Sequence, residues 1–193
     1  MVVGILALQG AVKPHELKFK ALGVETLQVR TPAELTKVDG IVLPGGESTA
    51  MIHIAKRNQI WEPLKLFVNT KPAWGICAGA ILLAKTVSHP AQDSLGVLDV
   101  LVQRNAYGRQ IDSFIGALAP TEHWPEEAGS VSGVFIRAPI FRDIGAGVKP
   151  LLRHKDQVVM VEQENLIAST FHPELTESTR IHHYFVNIIQ RTA

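Results

Sequence analysis

Cysteine is nearly absent: Cys77 is the only one in 193 residues. One thiol closes no internal disulfide and builds no cysteine-rich metal site, which leaves a free thiol or a nucleophile. An excess of either charge is also missing, because 19 Lys and Arg offset 18 Asp and Glu to give a formal net charge of +1. Nothing in that balance calls for nucleic acid or another polyelectrolyte partner. Long hydrophobic runs are lacking too. The apolar opening from Met1 to Leu8 breaks at Gln9-Gly10 and carries neither a basic leader nor a cleavage site. It reads as neither signal peptide nor membrane span, so a cytoplasmic protein without a membrane partner is expected. No internal repeat or low-complexity segment occurs. With 46% hydrophobic residues, 193 residues suit one well-filled α/β domain spanning 1–193.

What is present alternates. Val2 to Leu8 is a continuous apolar run, as in a strand buried on both faces of a parallel sheet. A helix follows, with Pro14 in its first turn, Leu17, Ala21 and Leu22 at helical spacing, and Gly23 as its stop. Val24 to Val29 reads as a second strand, and Thr31-Pro32-Ala33-Glu34 as a capping box. Ile41 to Leu43 forms a third strand, ending at Pro44-Gly45-Gly46-Glu47, after which Ser48 or Thr49 caps a helix carrying Met51, Ile52, Ile54 and Ala55. A helix over about 60–69 leads to the strand Ala73 to Ile76, then Cys77 and a helix over 80–84. Short joins between alternating strands and helices imply right-handed crossovers and a mainly parallel central sheet in a three-layer α/β sandwich. Ligands of such sheets sit at the carboxyl ends of the strands, where the loops after Leu43 and Ile76 both lie.

From His89 the rhythm changes. Short β-rich runs at 95–104, 114–119, 131–136, 149–154, 157–163 and 166–170, with hairpin-like joins, predict added antiparallel strands in the C-terminal half. The stretch 120–129 reads as an exposed loop. A final amphipathic helix over 176–191 buries Ile181, Tyr184, Phe185, Ile188 and Ile189.

Cys77 sits in Gly75-Ile76-Cys77-Ala78-Gly79, where small residues on both sides permit a sharp strand-to-helix turn that pushes a side chain into a cleft. A buried cysteine is equally at home as a small hydrophobe. As a nucleophile it needs a base, because a thiol of pKa about 8.5 is only slightly ionised near neutrality. Of the eight histidines, His15, His53, His182 and His183 read as helix-surface residues, and His89, His123 and His154 as loop or strand-end residues. His172 differs, standing at the end of an apolar strand in His172-Pro173-Glu174. Two residues apart on an extended backbone, the carboxylate orients the imidazole and leaves its other nitrogen for Cys77. The same tripeptide also serves as a capping turn. Gly45-Gly46 is either a plain turn or a segment that aims the Gly46 N–H, together with that of Ala78, into an oxyanion hole.

These motifs resemble the triad-type (class I) glutamine amidotransferases, and within them the glutaminase subunits of two-component pyridoxal 5′-phosphate synthases. The resemblance runs through Gly4-Ile5-Leu6-Ala7-Leu8-Gln9-Gly10, Pro44-Gly45-Gly46-Glu47-Ser48-Thr49, Gly75-Ile76-Cys77-Ala78-Gly79, the segment Gln103 to Gln110, Phe135-Ile136-Arg137-Ala138-Pro139, and Thr170 to Leu175. It implies a flavodoxin-like fold and a Cys77–His172–Glu174 triad that hydrolyses L-glutamine through a thioester. It implies no metal or organic cofactor, and ammonia handed to a (β/α)8-barrel synthase subunit. By the same resemblance Gly46, Glu47 and Ser48 line the glutamine site, and Arg104, Ile136 and Arg137 hold its α-carboxylate and α-amino end. An arginine fork suits a carboxylate, although either arginine would also serve in a structural ion pair. The chain departs from the family at Lys13-Pro14-His15 and Asn105-Ala106-Tyr107-Gly108, the former on a face expected to meet the synthase. A γ-glutamyl or peptide hydrolase with the same triad, and a redox-sensing subunit without catalysis, are the alternatives.

Overall fold

Strands buried on both faces organise the chain. In the computed structural model, which describes residues 1–104, 113–125 and 131–192, β1 (Val2–Leu6), β2 (Glu25–Val29), β3 (Gly40–Leu43), β4 (Ala73–Ile76) and β12 (Leu166–Ser169) run parallel in the order β2-β1-β3-β4-β12. This is the flavodoxin-like order, with β12 supplying the fifth strand. Successive side chains go to opposite layers. Val3, Ile5, Val42, Trp74, Ile76 and Ile167 join one core, whereas Leu6, Ile41, Leu43, Ala73, Leu166 and Ala168 join the other.

The helices divide accordingly. Phe19 of α1 (Val12–Ala21) and Ile181, Phe185 and Ile188 of α6 (Arg180–Arg191) cover the first layer. Leu35 of α2 (Pro32–Leu35), Met51 of α3 (Ser48–Arg57), Leu64 of α4 (Trp61–Val68) and Leu82 of α5 (Ala78–Leu83) cover the second. The predicted capping box at Thr31 and Glu34 is formed. The cap of α3 is Glu47 instead of Ser48 or Thr49: its carboxylate accepts from the Thr49 and Ala50 N–H groups, while Ser48 lies inside the helix.

Beyond β12 the sheet turns antiparallel through β11 (Gln157–Gln163), β10 (Lys149–His154), β7 (Phe114–Pro120) and β8 (Val131–Phe135). A separate three-stranded sheet holds β5 (Ala84–Ser88), β6 (Leu98–Gln103) and β9 (Ile140–Ile144). Neither β5 nor β9 is foreseen in the sequence. Of the stretch expected as an exposed loop, Pro120 ends β7 and Trp124 is buried against Tyr184, with ring centroids 5.0 Å apart. The rest of that loop from 126 on, and the motif residues 105–110, lie outside the described residues. Among the described residues, no helix is long and apolar enough to cross a membrane.

Candidate active site

The parallel strands deliver the chemistry to one edge. At the end of β4, Cys77 adopts φ 49° and ψ −99°, a conformation unusual for a residue with a side chain, and becomes the N-cap of α5. Its N–H donates to the Ser169 carbonyl on β12 at 2.8 Å, and its carbonyl accepts from Ile81 at 3.2 Å. The turn is this tight because Gly79 lies against β3. A Cβ there would fall 1.9 Å from the Leu43 carbonyl oxygen.

β12 leads to His172. His172 follows the fully buried Phe171, and its N–H donates to the Val134 carbonyl of β8 at 2.7 Å. Glu174 reaches it from a single 3-10 turn, Pro173–Leu175, instead of the extended backbone expected. The His172 Nδ1–H donates to Glu174 Oε1 at 2.8 Å, which leaves Nε2 for the Cys77 side chain on the same cavity wall. Burial disfavours an imidazolium here, but the interactions with Cys77 and Glu174 outweigh it and raise the His172 pKa to about 10. Glu174 is held below the usual carboxylate range: burial opposes ionisation, and the hydrogen bond and charge of His172 overcome it. Gly45 packs on the imidazole, since a Cβ there would stand 2.4 Å from His172 Cε1.

All ten candidates line one cavity of about 420 Å³: Cys77, His172 and Glu174 with Gly46, Ala78, Glu47, Ser48, Arg104, Ile136 and Arg137. That volume suits a small molecule. Arg104 approaches Glu47 at 3.4 Å across the mouth, so the ion pair weighed for it exists, within the cavity wall. Partial burial works against ionised Glu47, yet the hydrogen bonds from Thr49 and Ala50 and the Arg104 charge lower its pKa. Arg137 is exposed and takes a positive φ of 45° at the cavity rim. Ser48 Oγ donates to Gln92 Oε1 at 2.9 Å.

A model of the SNO glutamine amidotransferase family matches residues 5–191. The chain belongs to that family. It is 45% identical to the pyridoxal 5′-phosphate synthase subunit PdxT of Thermosipho africanus over 99% of this chain and 100% of that protein. It is 44% identical to the PdxT subunit of Deinococcus radiodurans over 97% of each. A crystal structure of a glutamine amidotransferase superposes with TM-score 0.90 at 44% identity, covering 98% of this chain and 100% of the other. PurLQS from Thermotoga maritima shares the fold, with TM-score 0.70 at 18% identity over 96% of this chain and 97% of that one.

The SNO-family cavity contains residues that sequence reasoning assigned no role. Gln9, at the carboxyl end of β1, accepts the Glu47 N–H on its Oε1 at 2.7 Å and so braces the Gly46–Glu47 segment. Its place just past a strand at the ligand edge was the available signal. His15 and His182 are not surface residues: both are fully buried behind Glu174. His15 stands four residues before the buried Phe19, and His182 shares a helical face with Phe185 and Ile189. That spacing marks both as core-facing.

Proposed function

We propose that this chain is a glutaminase that hydrolyses L-glutamine to L-glutamate and ammonia, and supplies the ammonia to a (β/α)8-barrel synthase subunit making pyridoxal 5′-phosphate in the cytoplasm. Residues 1–193 act as one catalytic domain. The observation that carries this reading is that Cys77 and the hydrogen-bonded pair His172–Glu174 line one cavity sized for a small molecule. The relatives named as synthase subunits support the partner.

In this reading Cys77 passes its thiol proton to Nε2 of His172 as Sγ attacks the side-chain amide carbon of glutamine. The C–S bond forms as the carbonyl electron pair moves onto oxygen, where the Gly46 and Ala78 N–H groups receive the negative charge. His172 gives its Nε2 proton to the nitrogen, the C–N bond breaks, and ammonia leaves a thioester on Cys77. Water then attacks the thioester carbon while His172 takes its proton, the C–S bond breaks to release glutamate, and His172 returns the proton to sulfur to restore the thiol. Glu174 holds the imidazole in the Nδ1–H form and stabilises its cation. At the mouth Arg104 faces the α-carboxylate of the substrate, with Ile136 and Arg137 beside its α-amino end, and Glu47 and Ser48 complete the pocket. Opposite charges 3.4 Å apart match a zwitterionic head group.

Glutamine turnover by Cys77→Ala and His172→Ala, each with and without the synthase subunit, is the direct test. Both variants are expected to lose essentially all activity, on the order of 10⁴-fold or more for a triad member. Turnover at the level of the unchanged protein in either one overturns the assignment.

A further inference from the structure

Glu174 has two oxygens, and the triad uses one. Its side chain is fully buried, Oε1 accepts from His172, and Oε2 has no hydrogen-bond partner among the described residues. A buried carboxylate oxygen without a donor is costly. The polar atom facing it is Nε2 of His15, 3.6 Å away. His15 lies in the second turn of α1, its ring edge-on to Trp74 with centroids 5.8 Å apart. Its Nδ1 meets Nε2 of His182 on α6 at 2.9 Å. His182 is sealed in turn against Trp74 at 4.9 Å and Phe19 at 5.1 Å, and its Nδ1 has no partner among the described residues.

One proton joins the two rings, and its position follows from what each choice strands. If His15 Nδ1–H donated to His182, then His182 would carry its own proton on Nδ1, a buried donor with nothing to bond. The bare lone pair of His15 Nε2 would then point at a carboxylate. If His182 Nε2–H donates to His15 Nδ1, the bare atom on His182 is an unprotonated Nδ1 with no proton to place, and His15 turns an N–H toward Glu174 Oε2, 3.6 Å away. The second arrangement leaves fewer charges and dipoles opposed. Both rings stay neutral: burial lowers the His15 pKa to about 4 against the pull of Glu174, and burial with the nearby His15 and Lys18 lowers that of His182.

We propose that His15 is a positioning residue for the triad: held in its Nε2–H form by His182, it presents that proton to the second oxygen of Glu174 and fixes the carboxylate against His172. At 3.6 Å this is a dipole aimed at a charge instead of a full hydrogen bond, and the dry surroundings give it weight. The proposal rests on the reading of Cys77, His172 and Glu174 as the triad.

The test compares His15→Leu, His15→Gln and His182→Phe in the full chain with the synthase subunit present, reading kcat, KM and the pH profile. Gln carries an amide N–H near the place of Nε2, whereas Leu fills space alone. His182→Phe keeps a ring against Trp74 and Phe19 but removes the proton that sets the His15 tautomer. The charged and titrating groups around this line are Glu174 and His172 beyond β12, Cys77 across from His172, His182 on α6, and Lys18 on α1. A carboxylate that is less well held supports the His172 cation less, so the alkaline limb of the rate profile moves to lower pH. His15→Leu is expected to lower kcat roughly tenfold or more, the scale for removing a group that orients an active-site ligand, with KM within about twofold. His15→Gln is expected to restore most of kcat and the limb, and His182→Phe to move the limb the same way by less. An unmoved limb in both His15→Leu and His182→Phe, or equal losses in the Leu and Gln variants, overturns the proposal. Should His15→Leu fail to fold, the limb in His182→Phe decides. Failure of 6-diazo-5-oxo-L-norleucine to label Cys77 in the unchanged chain would instead overturn the reading of the site, and this proposal with it.

Discussion

The two walls of the cavity are built by different means. On the inner wall Cys77, His172 and Glu174 are 8%, 8% and 4% exposed, and the first two are pinned by main-chain hydrogen bonds to neighbouring strands. Their positions are consequences of sheet register and of close backbone approach at Gly79 and Gly45. On the outer wall Glu47 has a side chain 51% exposed, and it meets Arg104 through flexible side chains at 3.4 Å. Bond-making atoms need fixed geometry, which packing supplies. Recognition of a charged head group tolerates adjustable side chains in partial contact with water. The inner wall should therefore fail through the fold, and the outer wall through binding alone.

The largest expected break is Gly79→Ala. The added Cβ meets a carbonyl oxygen at 1.9 Å, and main chain yields less readily than a side chain. Overpacking of this kind costs about 3 kcal/mol or more. Thermal unfolding should show the loss of stability, and glutamine turnover should fall with it, because α5 and Cys77 move together. A fully stable but inactive Gly79→Ala would show that the elbow is not coupled to the core.

The same wall predicts acid sensitivity. Folded His15 holds its pKa near 4 and unfolded His15 returns to 6.5, so between those values the unfolded chain takes up protons that the folded chain refuses. Stability is therefore unaffected by this group above pH 6.5 and falls as pH drops toward 4, by at most about 3 kcal/mol. His182 acts in the same direction. Urea midpoints from pH 7 to 4 should slope down, and less steeply in His182→Phe. Equal slopes would mean that the pair is not held neutral.

How much was legible in the sequence follows the same division. Val2–Leu6, Gly40–Leu43 and Ala73–Ile76 announce themselves as apolar runs because both their faces are buried. The turn around Cys77 and the diglycine after β3 were readable because small residues are required there. β5 was hidden because Ala84 extends the preceding helical run and Lys85 and Thr86 are exposed. β9 was hidden by the consecutive exposed charges Arg142 and Asp143, which break the alternation of a half-buried strand. That β12 joins β4 in parallel is a tertiary fact with no local signal, yet it brings His172 beside Cys77. His15 and His182 were misread because histidine is ambiguous between surface and core, and only their registry with Phe19 and Phe185 separates the two.

The smaller effects belong to the outer wall. Arg104→Gln keeps a polar side chain but removes the charge proposed to face the α-carboxylate, and is expected to raise KM about tenfold, or about 1.4 kcal/mol, with an unchanged unfolding midpoint. A fall in stability comparable to that of Gly79→Ala would erase the distinction between the walls. Smallest of all is Lys56→Ala. Lys56 and Asp93 approach at 2.6 Å, closer than Arg104 and Glu47, but the side chains are 49% and 66% exposed and lie outside the cavity. Water screens such a pair almost completely, so neither the unfolding midpoint nor KM should move measurably. If Lys56→Ala did raise KM while Arg104→Gln did not, proximity of charges would matter more than their place on the cavity wall, and the outer wall would have to be redrawn around α3.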